Sequence, residues 1–360
     1  MRRKHTKYVE IKYLCTPMEI IRNIEKTRMV VKCAATIGVF DGVHAGHRQV
    51  IKHLVSTSRF PHLASMVITF DRHPRQLFDP DFRPQLLTTQ EEKEREIERL
   101  GVDFLVVLPF TKEIAQLSAR DFMAQILKEK LNVKSLQIGY DNRFGHDRTE
   151  GFDDYWRYGQ ELGINVYHGV KLSFQDYDFA ICSSNIRSLL ADDGDIETAT
   201  IMLEHPYQLS GKVMPGEHIG HQLGFPTANI EPDDPFKVIP AAGVYAVWAQ
   251  VADQTTLNRR LLHEDAIACS GGEVMPAMMN IGTRPTFEGR NRTLEVNILD
   301  FDGNLYGKTI LITFVARLRE ERKFESPEAL ARQLEEDQKA TERCLLVNRT
   351  RVSAFTKRSD

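Results

Sequence analysis

The apolar positions in the first half of the chain fall into short runs separated by amphipathic stretches. The runs are rich in β-branched and aliphatic residues, and they cover 34–40, 64–70, 102–108, 133–139 and 164–170. Runs of this length and composition predict β-strands. Because strands that alternate with helices favour parallel pairing, the pattern predicts a doubly wound α/β domain.

Two of the amphipathic stretches carry signals for a helix start. Thr88 and Glu91 form a capping box that opens a predicted helix at 88–100. Ser118 opens a second one at 118–131. The remaining predicted helices of this half are 185–191 and 196–203.

After Pro206 the pattern changes to short strands separated by glycine and proline. The predicted strands cover 243–251, 277–282, 294–299 and 309–315, which is typical of a small antiparallel β-barrel. A long helix is predicted to begin at Ser326-Pro327. We therefore expect an α/β domain at 1–203, a barrel domain with a C-terminal helix at 204–350 and a frayed tail at 351–360.

Composition narrows the class of protein. A chain of 360 residues is long enough for two domains, and 42% hydrophobic with 27% charged residues is ordinary for a globular protein. No apolar run approaches the about 20 residues needed to cross a bilayer, and no secretory signal follows the basic start, so we expect a cytoplasmic protein. The five cysteines are widely spaced, which predicts reduced thiols. A net charge of -3 favours neither a nucleic-acid nor a membrane partner.

The segment from Gly38 to Arg48 combines glycines with two histidines where the first long strand passes into a helix. A helix N-terminus offers free N–H groups to phosphate, and Gly42 and Gly46 allow close approach. His44 and His47, three residues apart, can both face a triphosphate and stabilise attack at its α-phosphorus. Taken alone, the two histidines could equally be surface residues or half of a metal site.

A second group of polar residues lies in the barrel half. Thr227 and Asn229 are two apart in extended chain, so both can offer oxygen to Mg²⁺ on nucleotide phosphates. Glu295 alternates with apolar neighbours and shares a strand face with Asn297. A glutamate there could face water, or it could accept the proton of an alcohol that attacks the γ-phosphorus of ATP. The alternative for Thr227 and Asn229 is a hairpin with incidental polar residues.

Beyond these residue-level arguments, the chain resembles a known family. The segment 40–48 resembles the nucleotidyltransferase signature of bacterial FAD synthetases, and segments 69–74, 139–145 and 182–187 agree with it. The segments 224–229, 280–287, 294–297 and 305–308 occur in the order found in riboflavin kinases. The resemblance implies a nucleotidyltransferase-type α/β domain and a kinase barrel that make FMN from riboflavin and FAD from FMN, with ATP and Mg²⁺.

The resemblance also implies roles for individual residues. The catalytic groups are Glu295, His44 and His47. The predicted ATP-binding residues are Gly38, Phe40, Asp41, Gly42, Gly46, Ser183, Ser184, Arg187, Gly211, Lys212, Gly220, Thr227 and Asn229. The predicted flavin-binding residues are Asp71, Asp141 and Arg284, and the predicted metal ligands are Thr227 and Asn229. Riboflavin, FMN and ATP are then the expected small-molecule partners.

Several of these positions have simpler readings. Asp71 and Asp141 could be turn residues, Ser184 a helix cap and Arg187 a solvated helix charge. The family commonly has Ser-Ser-Thr at 182–184 and Phe at Asn142. Two other hypotheses therefore stay open. The first domain could act on another phosphorylated small molecule beside a barrel that only binds, or the whole chain could be a flavin-binding regulator without catalysis.

Overall fold

The chain divides into two compact units in a computed structural model. The units are Met1–Cys182 and Ser183–Asp360, and each is described by itself. The structure describes residues 7–9, 17–60, 62–79, 81–139, 143–146, 149–169, 180–215, 225–252, 274–286 and 289–356. No helix in these ranges is both long and apolar enough to cross a membrane.

A parallel β-sheet forms the centre of the first unit. Its strands are β2 (Glu19–Ile21), β4 (Cys33–Ile37), β5 (Ala64–Phe70), β6 (Phe104–Leu108), β7 (Val133–Ile138) and β8 (Asn165–His168), and β1 (Lys7–Val9) pairs separately with β3 (Thr27–Met29). The six-stranded order is β2-β6-β5-β4-β7-β8, with every pair parallel. Every residue of β4 and β6 is buried, as expected for a sheet covered on both faces. The predicted doubly wound α/β architecture is confirmed.

Helices connect these strands. They are α1 (Ala45–Ser58), α2 (Arg75–Phe78), α3 (Gln90–Glu98), α4 (Lys112–Ala115), α5 (Ala119–Asp121) with a π-helical continuation at Phe122–Lys130, and α6 (Phe152–Leu162). The predicted cap at Ser118 is confirmed, because its hydroxyl accepts from the Asp121 N–H at 3.0 Å.

The capping box predicted at Thr88 is wrong by one residue. Thr89 and Glu92 form it, with the Glu92 N–H donating to the Thr89 hydroxyl at 3.2 Å and the Thr89 N–H donating to the Glu92 carboxylate at 2.9 Å. Thr88 is occupied elsewhere, since its hydroxyl accepts from the Gly42 N–H at 3.0 Å.

The second unit contains a closed barrel. Its strands are β9 (Gln208–Met214), β10 (Ala228–Pro232), β11 (Gly243–Ala252), β12 (Val274–Thr286), β13 (Gly289–Ile298) and β14 (Thr309–Arg319). They close in the order β10-β13-β12-β11-β14-β9, and all pairs are antiparallel. The predicted barrel is confirmed, although β12, β13 and β14 extend beyond the predicted runs.

Two helical segments before the barrel belong to this second unit. They are α7 (Ser183–Ser188), which continues as a π-helical turn at Leu189–Asp193, and α8 (Ile196–Leu203). Arg317 donates to the Asp193 carbonyl at 2.8 Å, and Arg292 donates to the Ala191 carbonyl at 3.2 Å. Because barrel side chains bind their backbone, these helices pack with the barrel, whereas the sequence pattern assigned them to the first domain.

A long helix, α9 (Pro327–Thr356), follows the barrel. The Arg319 guanidinium binds the Asp337 carboxylate through two nitrogens, with Nη2 at 2.7 Å and Nε at 3.0 Å. This ion pair fixes the helix against the end of β14. The helix continues through Thr356, so the tail predicted to fray from 351 is helical over most of its length.

Candidate active sites

The loop between β4 and α1 has an unusual backbone. Phe40, Gly42 and Val43 all have positive φ angles, of 51°, 80° and 39°. Buried Asp41, which is 5% exposed, stabilises this turn because its carboxylate accepts from the Leu87 N–H at 3.0 Å and the Thr88 N–H at 3.2 Å. The predicted ATP ligand Asp41 is thus engaged in holding the loop in shape.

His44 and His47 lie side by side at the start of α1. Their ring centroids are 3.6 Å apart and the rings are stacked at 20°. The Phe40 ring packs edge-on against His47 at 5.2 Å. A Cβ at Gly46 would lie 3.3 Å from the His44 ring, which leaves little room for any larger residue. The structure therefore brings the two predicted histidines together, and two other predicted residues, Phe40 and Gly46, pack against them.

The electrostatic surroundings keep His47 neutral. Burial, followed by repulsion from His44 and Lys93, holds the pKa of His47 well below its usual value. Its Nδ1 is buried, and among the described residues it has no hydrogen-bond partner. A neutral imidazole can donate one hydrogen bond and accept another at pH 7.

Other polar groups surround the carboxyl ends of the central strands. Asp71 follows β5, and its carboxylate accepts from the Phe110 N–H at 2.9 Å while remaining partly exposed. Lys93 of α3 is buried, and its charge acts on His47 and Asp71. Lys93 could not be selected from the sequence, because a lysine among the glutamates of 90–98 resembles a residue on a solvated helix face.

The other residues predicted for adenylyl transfer lie in several parts of the chain. Gly38 lies directly after β4, where a Cβ would press on the Phe40 ring at 3.0 Å. Ser183, Ser184 and Arg187 lie on α7, in the second unit. Asp141 lies outside the described residues.

In the barrel, Glu295 lies in a row of polar residues that crosses three strands. Asn229 of β10 and Asn280 of β12 are its direct partners in the two neighbouring pairs. Opposed residues in antiparallel strands share a face, so the three side chains emerge on the same side. The Thr227 hydroxyl lies 3.5 Å from the Glu295 carboxylate. The structure thus brings together Thr227, Asn229 and Glu295, and it adds Asn280, which the sequence reading had not selected.

Nearby residues hold this arrangement in place. Buried Asn297 donates to the Pro226 carbonyl at 2.7 Å, which fixes the chain just before Thr227. A Cβ at Gly211 would clash with the Glu231 carbonyl, so this glycine permits close packing of β9 and β10. Lys212 is exposed on β9. Gly220 lies outside the described residues, and of Arg284 only the strand backbone is described.

Comparison with known families covers both units. Residues 26–185 match the family model described as FAD synthetase, and residues 203–345 match the model described as riboflavin kinase. The two matches leave residues 186–202 unassigned, where parts of α7 and α8 lie.

Curated relatives match most of the chain. The bifunctional riboflavin kinase/FMN adenylyltransferase of Escherichia coli K12 is 34% identical over 325 residues, covering 89% of this chain and 96% of the relative. The protein of the same name from Bacillus subtilis is 34% identical over 313 residues, covering 85% and 90%. A crystal structure described as a macrolide-efflux protein from Streptococcus pneumoniae has a TM-score of 0.75 at 29% identity, covering 91% of this chain and 99% of that chain.

The structural likeness extends the shared fold over both units, and the curated relatives agree in name with the two family models. The models occur in the same order as the two groups of polar residues described above. The chain therefore belongs to the family of bifunctional riboflavin kinase/FMN adenylyltransferases.

Proposed function

We propose that the two reactions of this family, riboflavin to FMN and FMN to FAD, are carried by separate sets of side chains on the two units. Adenylyl transfer is assigned to His44 and His47, and phosphoryl transfer to Glu295 with Thr227 and Asn229. The observation that carries this assignment is that the two sets lie on different compact units and share no residue.

At the first site, a phosphate oxygen of FMN attacks the α-phosphorus of ATP. A new P–O bond forms, the bond to the β-phosphate oxygen breaks, and pyrophosphate leaves. Neutral His47, stacked on His44 at the start of α1, supplies a hydrogen-bond donor for the charge that develops on the α-phosphate oxygens. The N-terminus of α1 favours the same negative charge. No covalent enzyme intermediate is required.

At the second site, Glu295 is assigned as the general base. Its carboxylate accepts the proton of the primary hydroxyl of riboflavin as that oxygen attacks the γ-phosphorus of ATP, and ADP leaves. Asn229 and Asn280 are paired with Glu295 in the two neighbouring strands, so polar side chains flank the carboxylate on the same face of the barrel.

The oxygen donors beside Glu295 fit a magnesium ion. Mg²⁺ prefers oxygen ligands and commonly keeps waters and substrate phosphates in its shell. The Thr227 hydroxyl and the Asn229 amide oxygen would hold it, together with the phosphates of ATP. Bound there, Mg²⁺ would neutralise charge on the phosphates.

We also place the enzyme in the cytoplasm, with riboflavin, FMN and ATP as its small-molecule partners and with neither a nucleic-acid nor a membrane partner. Its net charge of -3 and the absence of a basic cluster in the sequence support this assignment. The two other hypotheses, a different acceptor or a regulator without catalysis, predict no flavin turnover.

One assay separates these hypotheses. Purified protein is incubated with riboflavin, ATP and Mg²⁺, and the flavins are followed by chromatography. We expect FMN to appear first and FAD after it. Formation of FMN alone would contradict the assignment of FMN adenylylation to the first unit, and formation of neither product would contradict the whole proposal. A parallel reaction with EDTA tests the requirement for the metal.

A further inference from the structure

Lys93 is a buried cation that has no ion pair or side-chain hydrogen bond among the described residues. The residue is 7% exposed. None of the ion pairs or side-chain hydrogen bonds found among the described residues includes its ammonium group. A charge removed from water is unfavourable unless a counter-charge compensates it. A ligand that brings negative charge would supply this compensation.

The neighbouring carboxylates do not supply it. Asp41, Glu94 and Asp71 act on Lys93 through space, yet burial is the larger effect and lowers the pKa of Lys93. Each carboxylate is bonded elsewhere: Asp41 accepts from Leu87 and Thr88, Glu94 from Arg22 and Gln90, and Asp71 from Phe110. These three carboxylates therefore hydrogen-bond to other groups of the loop and helix. They compensate the positive charge of the Lys93 ammonium only in part.

Lys93 also belongs to a helix that packs beside the residues assigned to adenylyl transfer. Its helix, α3, packs against the turn Asp41–Val43 that leads into α1. The positive charge of Lys93 contributes to the lowered pKa of His47. The buried Nδ1 of His47 has no hydrogen-bond partner among the described residues. Two nitrogen groups with no hydrogen-bond partner among the described residues, Lys93 Nζ and His47 Nδ1, thus belong to residues that interact electrostatically where the phosphates are expected.

We propose that the Lys93 ammonium binds the phosphate chain of ATP during adenylyl transfer. It stays bound to the pyrophosphate as that group leaves and compensates its negative charge. This inference rests on the assignment of that reaction to His44 and His47. A lysine acts on phosphate as a compact point charge, and three donors on its nitrogen can each meet an oxygen.

The test compares Lys93→Gln with Lys112→Gln, which changes an exposed lysine of the same unit. In steady-state FMN adenylylation, Lys93→Gln should raise the KM for ATP and weaken inhibition by inorganic pyrophosphate, each by about tenfold to hundredfold. The KM for FMN and the riboflavin kinase rate should stay unchanged, and Lys93→Arg should recover part of the loss. An unchanged KM for ATP, or a rise in the KM for FMN instead, would overturn the proposal.

A stability measurement tests the alternative that Lys93 has a structural role. If the lysine is kept for a ligand, Lys93→Met should leave the melting temperature of the ligand-free enzyme unchanged or raise it, because it removes an uncompensated charge. A clear fall in melting temperature would show that Lys93 stabilises the fold, and would count against the proposal. His47→Ala tests the site itself: if it abolishes FAD synthesis while Lys93→Gln has no effect, only this inference fails.

Discussion

At the residue scale, the site around His44 and His47 contains two side chains, His47 and Lys93, whose pKa values are lowered by burial. His47 is neutral because it is buried beside His44 and Lys93. The histidine pair could be predicted from sequence, since spacing along a helix start is a local property. Lys93 could not, because its burial results from packing of α3 against a turn that lies far away in the chain.

The lowered pKa of His47 predicts a dependence of stability on pH. The unfolded chain takes up a proton on this residue below about pH 6.5, whereas the folded protein resists it. The contribution to stability is therefore complete above about pH 6.5 and is lost as the pH falls, by at most about 1.4 kcal/mol per pH unit. We expect urea unfolding of His47→Gln to show a shallower loss on acidification than the wild type.

Exposed His62 provides the matched control for this measurement. His62→Gln removes a histidine from the same unit without touching the loop. Equal slopes for wild type and His47→Gln between about pH 7 and pH 5 would contradict the assigned environment of His47.

At the element scale, an ion pair secures the C-terminal helix. Asp337 of α9 is 3% exposed and binds Arg319, and it also accepts from Gln333 at 2.8 Å. Removing one partner of a buried ion pair leaves the other charge without compensation, which typically lowers the free energy of unfolding by about 3 kcal/mol. We expect Asp337→Ala to lower the free energy of unfolding by about that amount. Glu336→Ala, at the exposed neighbour on the same helix, should change it by about 0.5 kcal/mol or less. Equal effects of the two changes in denaturant titrations would contradict this account.

Element types could be predicted better than element ends. The runs of β-branched residues predicted strands in both units, because burial of alternating or continuous apolar positions is visible locally. The sequence could not show that the helix begins after Thr89 and not after Thr88. The Thr88 hydroxyl accepts from the Gly42 N–H, and this tertiary contact has no local signal. The π-helical segment Phe122–Lys130 likewise has no local signal.

At the scale of the whole molecule, the enzyme makes FMN from riboflavin and FAD from FMN within two compact units. The sequence pattern placed the change between them at His205-Pro206. The association of α7 and α8 with the barrel depends on Arg292 and Arg317, which lie about a hundred residues later in the chain, so local patterns could not reveal it.

This packing predicts which fragment of the second unit folds. Leu190, Ile196 and Leu203 are fully buried in the helical segments that precede the barrel. Burying an aliphatic side chain of this size contributes about 1.5 to 3 kcal/mol. We expect a fragment of residues 183–360 to unfold cooperatively and to phosphorylate riboflavin, and a fragment of residues 205–360 to melt at a lower temperature or to be insoluble. Equal melting temperatures of the two fragments would contradict this role of α7 and α8.

The central claim is that the two reactions use separate sets of side chains. Its most direct measurement follows both activities in His47→Ala and Glu295→Gln, with melting curves to confirm that both variants fold. His47→Ala should reduce FAD formation about 10²- to 10³-fold while riboflavin is still phosphorylated, so that FMN accumulates. Glu295→Gln should reduce FMN formation about 10²- to 10⁴-fold while supplied FMN is still adenylylated. Near-normal riboflavin phosphorylation by folded Glu295→Gln, or loss of both activities in either folded variant, would contradict the account.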